Sequence, residues 1–118
     1  LNVGSVPGDR RLIDGLATTL AVLFPSVHIM DIPGTLNTMI FATKQPTTPA
    51  NFAANLTRLA QDTSLNPLLV TTMASTFANL KEGYETTTVF TDDLAPIEWI
   101  VNGMVINFVL RGGLEFLQ

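Results

Sequence analysis

Three carboxylates, Asp92, Asp93 and Glu98, fall within one short stretch of a chain in which only 14% of residues are charged. Carboxylates grouped in this way suit a cation. They hold an ammonium group through charge-assisted hydrogen bonds, or one of them accepts its proton. Mg²⁺ is a further option, although no phosphate-cradling loop accompanies the cluster. The structural alternative is a helix start, with Thr91, Asp92 or Asp93 as the N-cap and Pro96 in the first turn. Acidic groups there are favoured by the helix dipole by roughly 0.3–1 kcal/mol each. Asp93 directly precedes the expected helix and suits the cap. Asp92 and Glu98 are the better candidates for contact with a cationic substrate.

Other polar positions are weighed against plain structural roles. Thr35 and Asn37 lie in and after the turn Pro33-Gly34-Thr35-Leu36, between two apolar runs. Loops at strand ends of open α/β sheets often line sites, but Pro, Gly and Asn are also ordinary turn formers. Gly4-Ser5-Val6-Pro7-Gly8-Asp9 joins an expected strand to an expected helix. Its glycine spacing matches no nucleotide-binding loop, and Asp9 would repel a phosphate, so it reads as a turn with Asp9 as N-cap. His28 is the lone histidine, has no evident ligand or base partner in sequence, and reads as structural. Asn55-Leu56-Thr57 matches the glycosylation triplet inside an expected helix, a chance match.

The elements that must position these residues follow from periodicity and punctuation. Leu1 to Val3 reads as the end of a strand, entered in mid-domain. Ile13, Leu16, Ala17, Leu20, Leu23 and Phe24 form the apolar face of a helix that Pro25 ends. Val27–Ile32 and Asn37–Thr43 read as strands too closely joined for a parallel crossover, hence antiparallel. Thr48-Pro49 and Asn66-Pro67 each start a helix. Phe52, Leu56, Leu59 and Ala60 are the expected buried face of the first, and Val70, Met73, Phe77 and Leu80 that of the second. Lys81 suits the second helix's C-terminal dipole and Gly83 a left-handed cap. Thr86–Phe90 is a short strand or extended segment. A last, buried helix runs from about Leu94 to Leu110, with Ile97, Ile100, Val101, Met104, Val105 and Phe108 as its core stripe, until Gly112-Gly113 stops it.

The 118 residues are 47% apolar and carry a net charge of −4. That composition fills a core and argues against disorder. The absence of cysteine excludes disulfides and thiolate sites, and one histidine excludes a His-rich metal site. No Lys/Arg block exists, so no nucleic-acid partner is expected. The apolar run 97–110 is shorter than the roughly 20 residues of a membrane span. The fold class expected is α/β, one truncated domain. Residues 1–44 are the end of an open sheet (helix, strand, antiparallel strand), and 45–118 are a mainly helical extension. The cut sheet edge and low charge density favour a homo-oligomer.

Four runs occur here in one order: Val6-Pro7-Gly8-Asp9-Arg10-Arg11-Leu12, Phe24-Pro25-Ser26-Val27, Asn37-Thr38-Met39-Ile40-Phe41-Ala42-Thr43-Lys44, and Thr91-Asp92-Asp93-Leu94-Ala95-Pro96-Ile97-Glu98. Together they resemble the C-terminal part of bacterial spermidine synthase-like proteins (polyamine aminopropyltransferases), especially the type fused to a membrane segment. The likeness touches most of the chain, and the last run is its most specific piece. It implies a Rossmann-like, methyltransferase-type sheet that this chain enters at about its fifth strand. The glycine-rich loop, the acidic ribose ligand and the catalytic aspartate would then lie upstream of Leu1. No catalytic residue is therefore expected here. Decarboxylated S-adenosylmethionine is implied as co-substrate of the parent alone, and the upstream half of the domain as a partner. The implied substrate is a polyamine facing a carboxylate wall at Asp92, Asp93 and Glu98. The implied location is cytoplasmic, with a membrane tether supplied by the parent. The alternative is a non-catalytic α/β interaction or dimerisation module.

Overall fold

A computed structural model of the chain describes residues 1–93 and 96–113. The described residues form a mixed α/β unit in the order β1 (Asn2–Gly4), α1 (Arg11–Ala21), β2 (Ser26–Asp31), β3 (Asn37–Thr43), α2 (Pro49–Gln61), α3 (Pro67–Ala78) and α4 (Ile97–Leu110). The sheet order is β1-β3-β2. β3 runs antiparallel to both neighbours, with Val3 opposite Thr38 and Ile29 opposite Ile40. β1 and β2 are thus parallel to each other, with β3 inserted between them. The tight reversal before β3 is made by Pro33-Gly34. Gly34 takes a left-handed φ of 70°, and the Thr35 N–H donates to the Ile32 carbonyl at 3.2 Å.

Strand alternation divides the sheet into two faces. Val3, Ile29, Thr38 and Ile40 turn to α1 and are buried with Leu12, Ile13 and Ala17. Met104 of α4 completes this cluster. Burying the seven apolar residues among these, all but Thr38, supplies the drive for the fold, at about 25 cal/mol per Å² of apolar surface. His28, Met30, Met39 and Phe41 turn to the opposite face. There the α2–α3 hairpin lies, pinned by an edge-to-face contact of Phe52 with Phe77 whose ring centroids are 5.6 Å apart. The chain returns to the edge of β2 after α3: the Lys81 N–H donates to the Ile29 carbonyl at 2.8 Å.

Several expectations change. Arg10, not Asp9, occupies the N-cap of α1. The Asp9 carboxylate still accepts from the Arg11 N–H at 3.4 Å, but is drawn mainly to the Arg11 guanidinium at 2.6 and 2.9 Å. Helix α1 stops at Ala21, before Pro25, and leaves Leu23 exposed. No residue of α2 or α3 is buried. Their stripes are half-covered because the two helices pack chiefly on each other, and Ala60 is exposed. Lys81 leaves the α3 dipole for an ion pair, and Gly83 has no left-handed φ. Helix α4 begins at Ile97, and Leu94 and Ala95 lie outside the described residues. It is not a buried helix: Met104 is its one buried residue, while Trp99 is 85% and Leu110 77% exposed.

Residues 86–90 pair with no strand. α1 side chains hold two of their N–H groups and the carbonyl just before them instead. The Thr18 hydroxyl donates to the Glu85 carbonyl at 3.5 Å and accepts from the Thr87 N–H at 3.1 Å. The Thr19 hydroxyl accepts from the Phe90 N–H at 2.8 Å. Phe90 lies so close over Gly15 that a Cβ there would meet its ring at 2.1 Å. Gly15→Ala should therefore destabilise the chain by about 1–3 kcal/mol in urea, because the ring must leave its seat. In a Phe90→Ala background the same change should instead stabilise by up to ~1 kcal/mol, the ordinary helix preference for alanine.

Candidate functional site

A cleft of about 1170 Å³ opens beyond the carboxyl ends of the parallel strands β1 and β2. That is where ligands enter open α/β sheets. Its floor is the turn 5–9 and the start of α1. Its walls are Asp31 at the end of β2, Thr35 and Leu36 of the following turn, and residues 82–85. The turn is shaped by Gly8, whose φ of 79° suits glycine, with the Asp9 N–H donating to the Val6 carbonyl at 3.0 Å.

Five carboxylates line the cleft (Asp9, Asp14, Asp31, Glu82 and Glu85) against the guanidiniums of Arg10 and Arg11. Asp9 and Arg11 neutralise each other. Their hydrogen bonds hold the Asp9 carboxyl below its ordinary value. Asp31 is bonded three ways: it accepts from the Thr38 hydroxyl at 2.7 Å, Lys81 Nζ stands at 3.0 Å, and Arg10 Nη1 at 3.2 Å. Burial pushes this carboxyl up. The Thr38 hydroxyl, the Lys81 ammonium and the Arg10 guanidinium together outweigh burial and hold it below the usual range.

Asp14 is different. It is 7% exposed, and its Oδ1 has no hydrogen-bond partner among the described residues. Burial raises its carboxyl above the ordinary value, against the opposing pull of Arg10 and of a backbone hydrogen bond from Glu85. One turn earlier on the same helix, Arg10 Nη2 is likewise buried without a partner. Both residues line the cleft, while these two atoms are themselves buried beneath its surface. Among the described residues no group of three or more His, Cys, Asp or Glu could hold a metal ion.

Of the residues singled out from sequence, Thr35 lines this cleft. Its hydroxyl donates to the Ile32 carbonyl at 2.9 Å and accepts from the Asn37 N–H at 3.2 Å, so both residues serve the turn. Asn37 begins β3 and does not line the cleft. Asp92 and Asp93 are exposed on the approach to α4, and Glu98 lies on its first turn beside Ile97 and Trp99. The structure does not bring these three into the cleft. Sequence reasoning passed over Arg10, Asp14 and Asp31. A signal for Asp14 exists: it directly follows Ile13 and lies one turn before Ala17 and Thr18, all buried, so a carboxylate there sits within the apolar stripe.

The two aspartates give opposite pH signatures. Asp31, held low, contributes stability that is present above its ordinary value of 3.8 and is lost as pH falls through its lower folded value. Asp14, held high, is protonated more readily folded than unfolded, so its contribution declines as pH rises through its raised value. Asp14→Asn should therefore stabilise the chain near neutral pH by about 1 kcal/mol, the order of an unsatisfied buried polar atom. The gain should shrink on acidification, and urea titrations at several pH values measure both slopes. Comparison of the chain with protein-family models, with curated proteins and with solved structures finds no match.

Proposed function

We propose that the chain is the closing part of a spermidine synthase-like aminopropyltransferase domain, its sheet of the Rossmann-like methyltransferase type, and that its cleft forms part of the wall facing a polyamine. The observation that carries this reading is the excess of carboxylates in the cleft, five against two guanidiniums. Asp9 and Asp31 are matched by their own cations. The acidic excess therefore rests on Asp14, Glu82 and Glu85, and a polycationic amine supplies the missing charge. The sheet supports the same reading. β1 and β2 are parallel with β3 reversed between them, and the outer edge of β1 pairs with no other strand among the described residues. Leu1 exchanges both backbone hydrogen bonds with Ile40, so the alternating pattern turns the Asn2 and Gly4 groups outward, where an upstream strand would bond.

In this reading the chain binds and orients and does no covalent chemistry. Its carboxylates hold an ammonium group remote from the reacting nitrogen. The groups that hold decarboxylated S-adenosylmethionine and take up the proton of the attacking amine belong to the upstream half. Asp92, Asp93 and Glu98 would meet the amine only in that completed domain, and Asn37 serves the turn. Calorimetric titration with spermidine tests the wall directly. Weak, salt-sensitive binding is expected, lost in Asp14→Asn, with no binding of decarboxylated S-adenosylmethionine. Spermidine binding that is absent, or unchanged in Asp14→Asn, overturns the proposal.

A second reading, an interaction or dimerisation module, rests on a separate observation. Trp99, Ile106 and Leu110 of α4 are 85%, 58% and 77% exposed, an apolar surface that isolated domains rarely leave to water. No helix among the described residues is long and apolar enough to cross a membrane. Light scattering should show a two-fold dimer at high concentration, weakened by Trp99→Glu; a monomer at all concentrations would exclude this reading.

A further inference from the structure

A second pocket, of about 320 Å³, lies between the sheet face opposite α1 and the α2–α3 hairpin. This is within the size range of small-molecule sites. Phe41 of β3, Phe52 of α2 and Leu80 form its apolar walls, and His28, Asn51 and Asn55 are among its polar groups, beside threonine hydroxyls. No Asp, Glu, Lys or Arg lines it.

The hydrogen bonds around the pocket show what its polar groups offer. The Thr43 hydroxyl contacts the Gln45 carbonyl at 2.8 Å and the Thr47 hydroxyl at 3.1 Å. His28 Nε2 in turn meets the Thr47 hydroxyl at 2.8 Å. The other ring nitrogen, Nδ1, has no partner among the described residues. Asn55 is oriented by equally simple chemistry. Arg58 has no acceptor, so the atom it contacts is Asn55 Oδ1, which leaves the Asn55 NH₂ unengaged. Asn51 Oδ1 accepts from the Thr48 hydroxyl at 2.5 Å, which frees its NH₂ in the same way. The two amide donors stand one helical turn apart.

We propose that this pocket binds an uncharged planar aromatic carboxamide or lactam. The ring packs between Phe41 and Phe52, the latter held in place by Phe77. The ligand carbonyl accepts from the Asn51 and Asn55 amides, and its amide group, at once donor and acceptor, meets His28 Nδ1. The absence of charged lining selects against the cationic and anionic counterparts, which would lose their hydration without a counter-charge. This site is separate from the acidic cleft and does not depend on the aminopropyltransferase reading.

Benzamide is the probe, added to the ¹⁵N-labelled full chain and followed by NMR. Saturable shifts are expected at the Asn51 and Asn55 side-chain amides and at Thr47, with benzylamine, benzoate and acetamide each binding at least about tenfold more weakly. Asn55→Leu removes one donor from an exposed position and leaves the core untouched. It should lower benzamide affinity by about threefold to tenfold. Phe52→Ala should abolish binding, and where it also loosens the hairpin, Asn55→Leu alone decides. Benzamide shifts that do not saturate, equal binding of benzylamine at the same residues, or full affinity in Asn55→Leu would each overturn the proposal.

Discussion

The Asp31 carboxylate is the point on which the arrangement depends. It closes β2, receives the hydroxyl of the fully buried Thr38 on β3, and meets cations from the start of α1 and from the segment after α3. Four parts of the chain are joined at one group. The contributions are unequal. The two ion pairs are partly exposed and worth at most about 1 kcal/mol each. The Thr38 bond is part-buried, comes from a fully buried hydroxyl and is charge-assisted, so it is the stronger anchor. That bond sets where β2 stops against β3, and hence where the cleft begins.

Saturation at Asp31 contrasts with want at Asp14. Both carboxylates face the same cleft, and burial raises both. One has three partners and stays below its ordinary value. The other keeps an unpartnered oxygen and rises. Arg10 links them: its Nη1 bonds to Asp31, while its Nη2 is left buried and unpaired. Natural folds leave few such atoms, and here they belong to two residues that line the cleft. The cleft is therefore polar and acidic, while the pocket under the α2–α3 hairpin is apolar and uncharged. The single sheet separates two chemically different environments.

Burial is also lopsided. The α1 side of the sheet contains nearly all the buried residues, and the hairpin α2–α3 and helix α4 contribute Met104 alone. A helix as apolar as α4 that lies mostly in the open has a surface suited to other protein, as does the outward edge of β1.

The local elements were legible in sequence because they depend on short-range rules. The Thr48-Pro49 and Asn66-Pro67 starts are N-caps in the structure, with side chains accepting from the Asn51 and Leu68 N–H groups. The short link around Pro33-Gly34 does give antiparallel neighbours, since so few residues cannot cross a sheet. What each face of a helix meets is a different matter. The apolar stripe of α4 predicts a helix but not its burial, because periodicity measures composition around an axis and not the presence of a neighbour. Whether residues 86–90 would pair as a strand depended on the Thr18 and Thr19 hydroxyls, which belong to a helix nearly seventy residues earlier. The site divides in the same way. Sequence drew the eye to Asp92, Asp93 and Glu98 because they cluster along the chain. Arg10, Asp14 and Asp31 are scattered along it, and only the packing of α1 against β2 and β3 made them one group, because burial and partner count, which decide a carboxylate's chemistry, are properties of the folded chain.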